Sequence, residues 1–566
     1  MRISIKVERH IFYNGPSGPV VGMMCGRQVV ATASVLPPTG VFFLYPGVFE
    51  YVLTSLKNFE IRVQEKEPRE EKYQSLYFFP SSAKTADWYS LGYSVGYEMT
   101  TEMLPDNVLL EIFDFCKYGL SFHGYSGWVW RRKMLTQVCR KWRPISLGSP
   151  RRLDLRIVCT NTTPTRTSLD IWPPLPITIK KSPSHLLVDE KGVENINAAL
   201  EHRDRITEIF IHGIWPSEKW AAVMDKPLPA LRDAYFFSSF GDTLPPFPET
   251  FLGGSAPCLR SFHLIAIPFP SLPKFVISST HIVDLQLLWT PNSGYISPDV
   301  MAKCLEALSN LEHLSVGFRS PLSRPVQSTL PPLTRIVLPA LTSFFFAGAS
   351  EYFEDFVAQI DTPILNRLLV AFFLDLIFDI PHFCDFIDRT NRLKSFNQAD
   401  IEFYHRKIKI VLGPPTRFEL EIKCERPDWQ LSSMTQISRQ QLPILSHVER
   451  LGIRAGSFRF RPRWKADPDM DTSQWLELFH LFIALRSLYV GSLLMSPVAT
   501  ALQELTGGRT LEVFPVLRNL SLQHLEPSAP AQEAIKSFIT ARQLSGHPIA
   551  IQPWDSYCAE NGPYFL

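Results

Sequence analysis

A charge of one sign is missing from this chain. Over 566 residues, 57 Lys and Arg stand against 55 Asp and Glu, a formal net charge of +2. That balance removes the general case for nucleic acid, a membrane surface or an acidic substrate. Paired cysteines are missing too. The nine Cys lie at 25, 116, 139, 159, 258, 304, 384, 424 and 558, no two closer than 20 residues, so there is no CxxC and no zinc framework. An odd count reads as free, mostly buried thiols in a reducing compartment, which leaves the sequons at Asn161 and Asn519 without meaning. Long apolar runs are absent. The stretch at 41–49 is too short to span a bilayer, the run at 371–380 carries two Asp, and the first fifteen residues lack the apolar core of a signal peptide. A soluble, intracellular chain is expected, cytoplasmic and/or nuclear, with no membrane partner.

Enzyme signatures are scarce. GxxxxGK[ST], GxGxxG and HExxH do not occur. The one GxSxG, Gly92-Tyr93-Ser94-Val95-Gly96, has no buried strand before it and no helix directly after it, so it reads as a Gly-rich linker. His202, His212 and His263 lie in or beside strand registers and read as ladder or loop residues, not metal ligands. No catalytic residue, metal or cofactor is expected.

What is present begins with a core: 45% of residues are hydrophobic and 20% charged, ordinary for a folded chain. Proline is over-used, 47 residues, or about 8% against roughly 5% usually, while Gly at 28 is low. Frequent Pro implies many short elements, each stopped and restarted. Residues 1–97 are aromatic-rich, without motif or period, and read as a poorly defined N-terminal extension.

From Leu104 the chain reads LPDNVLLEIFDFC. Pro105 suits a first helical turn, Asp106 favours a helix N-terminus, and Leu109, Ile112, Phe113 and Cys116 form one apolar stripe. After a loop with several Gly, Leu135, Val138, Cys139 and Trp142 repeat that spacing, and Pro144 is expected to end the second helix. The run Arg131–Arg156 holds nine Lys or Arg and one acid, Asp154. It reads as a solvated face or as a patch for an acidic partner.

This segment resembles the F-box, in the version common in mushroom-forming fungi. The matching residues are Leu104-Pro105, Leu109-Leu110, Ile112-Phe113 and Val138-Cys139-Arg140-Lys141-Trp142-Arg143. The likeness continues through Gly148-Ser149-Pro150-Arg151-Arg152-Leu153-Asp154-Leu155 and Leu175-Pro176-Ile177-Thr178-Ile179. Two departures stand out: about 100 residues precede the motif, and Trp130 is displaced by two from the place where the family carries a Trp. The resemblance implies an F-box at 98–150 and a linker with first strands at 151–205. It implies docking onto a Skp-type linker protein, and through it a cullin-RING ubiquitin ligase, by Leu104, Pro105, Leu109, Ile112, Phe113, Leu135, Val138 and Trp142. Catalysis would belong to other subunits.

From 206 to 566 a register L-x-x-L-x-L recurs. Clear copies are Leu259-Phe262-Leu264, Ile282-Leu285-Leu287, Leu311-Leu314-Val316, Leu341-Phe344-Phe346, Leu365-Leu368-Val370, Leu485-Leu488-Val490 and Leu517-Leu520-Leu522; weaker ones start at Ile206, Leu231, Leu393 and Val448. Steps of 23 to 30 residues separate the first eight starts, Pro often stands two residues ahead, and helical stretches such as 297–310 and 473–485 lie between. After about 400 the period loosens. The pattern predicts an α/β fold: a small helical F-box, then a leucine-rich-repeat-like solenoid with a curved parallel sheet. Phe344-Phe345-Phe346 and Phe372-Phe373 are expected to carry one outward ring each. The middle position of each strand, His263, Gln286, Ser315, Phe345 and Tyr489, is the candidate surface for an unknown protein substrate. The rival function is a repeat scaffold acting outside ubiquitination.

Overall fold

A computed structural model describes residues 2–10, 26–34, 61–67, 70–77, 105–107, 109–110, 113, 140–149, 155–160, 162, 164–172, 174–181, 190–213, 224–238, 246–319, 334–373, 380–394, 396–424, 427–441, 443–456, 472–505, 509–523 and 529–553. The chain divides into two units. The first is 1–158 with 167–176, and the second is 159–166 with 177–566.

Within the first unit four strands, β1 Arg2–His10, β2 Gly26–Ser34, β3 Ile61–Glu67 and β4 Glu70–Tyr77, form a sheet of order β1-β2-β4-β3. They fall in the segment that the sequence left without elements. Further on, Asp106, Asn107, Leu109, Leu110 and Phe113 are helical, and a helix runs over Trp142–Gly148. Pro144 stands in that helix's first turn, which corrects the expectation that it ends one. A first-turn N–H has no intrahelical acceptor, so a proline there forfeits nothing.

Sixteen strands make the large sheet. They are β5 Ile157–Thr160, β6 Ile177–Lys181, β7 Ile206–His212, β8 Asp233–Phe237, β9 Ser261–Ile265, β10 Asp284–Thr290, β11 His313–Phe318, β13 Ser343–Gly348, β15 Arg367–Phe372, β16 Gln398–Tyr404, β17 Lys407–Gly413, β18 Arg417–Lys423, β19 Arg450–Ala455, β20 Ser487–Val490, β21 Asn519–Leu522 and β22 Ala550–Pro553. The short β12 Ile336–Val337 and β14 Ile360–Asp361 pair apart from it. From β5 to β15 each sheet strand lies beside the one before it, and the neighbours from β6 onward pair in parallel. Such sequential order is the solenoid mode, one strand added per repeat.

The repeat register explains the strands. The first apolar place of every copy, from Ile206 and Leu231 to Leu485 and Leu517, is 0–2% exposed. Each is reached through a tight turn: Leu231 N–H donates to Leu228 O at 3.1 Å, Leu341 to Leu338 at 3.3 Å and Leu517 to Phe514 at 3.1 Å. Pro229, Pro339 and Pro363 occupy the second place of such turns, where their fixed φ is already right. Part of the proline excess is therefore repeat punctuation. After the turn one carbonyl of the preceding copy accepts two N–H groups: Arg260 O takes Val283 and Asp284, Val283 O takes Glu312 and His313, and Glu312 O takes Thr342 and Ser343.

One face of the sheet is covered. Phe344 and Phe346 are fully buried and meet Phe353 of the helix Ser350–Val357 at 5.9 and 4.8 Å between ring centres. A second cluster joins Phe236, Phe251, Phe262, Phe269 and Phe275. The opposite face gives the alternating burial of β8 and β13, half-buried then buried. Phe345 is half-buried on that face as expected, whereas Phe373 is only 8% exposed and so is not an outward ring. β15 ends one residue earlier, and Lys423 Nζ lies 4.5 Å from the Phe373 ring.

Beyond β15 the all-parallel expectation fails. The order becomes β15-β18-β17-β16-β19, with β16, β17 and β18 antiparallel. A three-strand meander is thus inserted in the row before the parallel strands resume with β19 to β22. This is why the period loosens after about 400. In the copy at Leu393 every residue from Gln398 to Phe403 is buried, and the apolar ones, Ala399, Ile401 and Phe403, fall one place out of the L-x-x-L-x-L register.

Candidate functional site

In the first unit, three of the eight candidate linker-binding residues are buried: Leu109 at 0%, Phe113 at 2% and Trp142 at 5% exposure. The Phe113 and Trp142 rings meet with centres 4.7 Å apart at 59°. Leu109 N–H donates to Pro105 O at 3.1 Å, and Lys141 Nζ lies 3.9 Å from the exposed Asp106, a long pair of little energetic weight. Pro105 is exposed. Leu104, Ile112, Leu135 and Val138 lie outside the described residues, as do Ser94 and the start of the basic run. Residues 29 apart in sequence therefore meet in one apolar cluster.

In the second unit the candidate site is the uncovered face of the sheet. His263, Gln286, Ser315 and Phe345 stand directly opposite one another on β9, β10, β11 and β13. The same row runs back through Tyr235 to Phe210 and forward to Leu369. Gln286, Ser315 and Phe345 are half-buried, and His263 is 9% exposed. Tyr489 on β20 lies further along but is closed off, at 3% exposure.

The sequence reading missed what surrounds this row. Phe210 and Tyr235 stack at 4.4 Å and 7°, and Tyr235 meets His263 edge-on at 4.2 Å. Two residues further along each strand, His212 stacks on Phe237 at 4.2 Å, and Phe237 meets Trp289 at 6.0 Å. Two residues earlier stands an acidic row: Glu208 opposite Asp233, then Ser261, then Asp284. Asp284 accepts from His263 Nε2 at 2.9 Å and from the Gln286 amide at 3.3 Å. Burial by itself raises the Asp284 carboxyl, but the His263 hydrogen bond and charge, with Gln286, bring it below its ordinary value. Burial, helped by Lys181, pushes His212 down, which favours its neutral form.

Across the meander the same face has another character. Glu402 accepts from Arg454 at 2.5 Å and from the Tyr404 hydroxyl at 2.6 Å. Lys409 pairs with Glu419 at 2.7 Å, Arg417 with Glu419 at 3.0 Å, and Lys407 with Glu421 at 2.7 Å. Glu421, Lys409, Glu402 and Arg454 are successive cross-strand partners, so charge alternates along the row. Burial raises the Glu402 carboxyl, yet Tyr404, Arg454 and Lys409 bring it below its ordinary value, while Tyr404 itself is pushed up by burial and by Glu402.

Among the described residues no group of three His, Cys, Asp or Glu is placed to hold a metal, and no helix is long and apolar enough to cross a membrane. The five described cysteines are free, and burial pushes Cys304 up to about 12, so its thiol is unreactive at neutral pH. No model of a known protein family matches the chain, and no curated protein matches it either.

Proposed function

We propose that this chain is the substrate-recognition adaptor of a Skp–cullin–F-box ubiquitin ligase, the segment 98–150 engaging a Skp-type linker protein and the sheet's uncovered face engaging the protein to be ubiquitinated. One observation carries the reading: Phe113 and Trp142, drawn from the two segments that resemble the F-box, are buried in ring contact, and Leu109 is buried as well. A two-segment apolar module of that kind is what an F-box requires internally. Burial of the apolar stripes against linker helices would contribute about 25 cal/mol per Å² of apolar surface. The mechanism is proximity: substrate held on the repeat sheet reacts with a charged conjugating enzyme at raised effective concentration.

The test is co-expression with a Skp-type linker protein and size exclusion, beside an Ile112→Ala/Val138→Ala variant whose fold is checked by circular dichroism. A one-to-one complex lost in the folded variant supports the reading. Absence of any complex with the folded wild-type chain overturns it and leaves a repeat scaffold.

A further inference from the structure

Between the aromatic strands and the meander the uncovered face changes character over β13, β15 and β18. By alternation the side chains facing that way are Ser343, Phe345 and Ala347 on β13, and Arg367, Leu369 and Ala371 on β15. On β18 they are Arg417, Glu419, Glu421 and Lys423. The residues between them, such as Phe344, Leu368, Val370 and Phe418, are 0–1% exposed on the covered side.

Two features mark this stretch, and the first is positive charge left unmatched. Both acids of β18 are already taken. Glu421 pairs with Lys407 at 2.7 Å, and Glu419 with Lys409 at 2.7 Å and with Arg417 at 3.0 Å. Arg367 is exposed and lies directly opposite Arg417, on the side away from the meander. Lys423 is exposed too, stands opposite Lys407, and places its Nζ 4.5 Å from the Phe373 ring. Among the described residues neither Arg367 nor Lys423 is ion-paired. On the other flank Ser343 and His313 separate Arg367 from Asp284, which His263 holds. The exposed Glu312 keeps the alternate register, one residue before His313.

The second feature is apolar. Phe345 and Leu369 are directly opposite one another on β13 and β15 and are both half-buried. They stand two residues beyond the row of Ser343 and Arg367, so an apolar strip lies between the two cations along the strand direction. Arg417 and Lys423 are six residues apart on one strand, roughly 20 Å, which also sets the distance between the rows of Arg367 and Lys423.

We propose that the face over β13, β15 and β18 is a docking site for an acidic extended segment of another protein. One carboxylate pairs with Arg367, a second with Lys423, and an apolar side chain between them lies over Phe345 and Leu369. A segment running along the strands presents these groups at i, i+6 and i+2 respectively. Guanidinium and ammonium groups without an internal carboxylate take one from a partner, and complementary charge of this kind fixes the register in which the segment docks. The inference rests on the adaptor reading for the occupant being a substrate protein, and it names that substrate's chemistry.

The experiment is fluorescence anisotropy of a labelled, C-terminally amidated peptide, Glu-Ser-Phe-Ser-Ser-Ser-Glu, titrated with the full chain. Controls carry lysine in place of both glutamates, or serine in place of the phenylalanine. The acidic peptide is expected to bind, with affinity falling as salt rises; the lysine peptide is not, and loss of the ring weakens binding about tenfold. Arg367→Gln and Lys423→Gln are each expected to weaken binding about fivefold. Arg260→Gln, an exposed arginine in the alternate register of β9, leaves it unchanged. All three side chains are exposed, so the melting midpoints stay level and a lost contact is separated from a lost fold. No binding, equal binding of the acidic and basic peptides, unchanged affinity in either of the first two variants, or an equal loss in Arg260→Gln overturns the proposal. Linker binding is read separately by size exclusion. A linker complex without peptide binding sinks this inference alone, and peptide binding without a linker complex sinks the adaptor reading alone.

Discussion

Two stretches of one sheet face behave in opposite ways. Over β7–β10 it carries stacked rings, an exposed Trp289 and a carboxylate, Asp284, bonded to His263; over β16–β19 acids and bases alternate and satisfy one another. The covered face is apolar and close-packed in both. The antiparallel meander lets Lys407, Lys409, Glu419 and Glu421 face each other from strands close in sequence, so that stretch closes on itself electrostatically. In the single-strand repeats a facing group meets cross-strand partners only from other copies, as Asp284 meets His263.

Five experiments break or sharpen that comparison. The largest effects belong to the covered face, where the two stretches should not differ. Phe344→Ala and Phe418→Ala, both 0% exposed, are expected to cost about 4 kcal/mol each in urea denaturation. A large difference between them would mean that the halves differ in packing as well as in charge. Next comes Glu402→Gln, which strands the largely buried Arg454 guanidinium; a loss of about 3 kcal/mol is expected by the same measurement. Asp284→Asn removes a carboxylate from the other stretch, keeps hydrogen-bonding atoms beside His263, and should cost only about 1 kcal/mol. Equal costs for these two would erase the distinction. Both carboxyls are held below their ordinary values, so the unfolded chain binds more protons at moderately acidic pH. Their stabilisation is present above the unfolded carboxylate range of about 4 and is lost as pH falls through the folded values. An acid unfolding profile should therefore flatten in both Glu402→Gln and Asp284→Asn. The smallest effect is Pro339→Ala, in the turn ahead of Leu341, expected to lower stability by about 0.5 kcal/mol through the freer unfolded chain.

Particular residues show how far a linear reading reaches. Leu259, Ile282, Leu311, Leu341 and Leu365 announce their strands because burial demands an apolar side chain at one phase of every repeat, and a period survives in one dimension. His263, Gln286, Ser315 and Phe345 could be placed on one surface for the same reason, since alternation assigns every second residue to the other face. The aromatic and acidic rows beside them, Phe210 with Tyr235 and Glu208 with Asp233, were within reach of that logic once the strands were aligned copy against copy. Tyr489 shares its row but not its exposure, and burial is decided by what the rest of the chain lays against a strand.

By itself, then, the sequence determined the repeating unit, its covered face and its proline-bearing turns, all of which depend on neighbours within a few residues. Only the tertiary structure decided that β18, not β16, follows β15 in the sheet, that Pro144 begins a helix turn, and that Trp289 leaves its strand's alternation to meet Phe237. Those outcomes turn on which backbone pairs with which across tens of residues, and on a left-handed backbone angle paid for by distant contacts. Neither leaves a period in the chain.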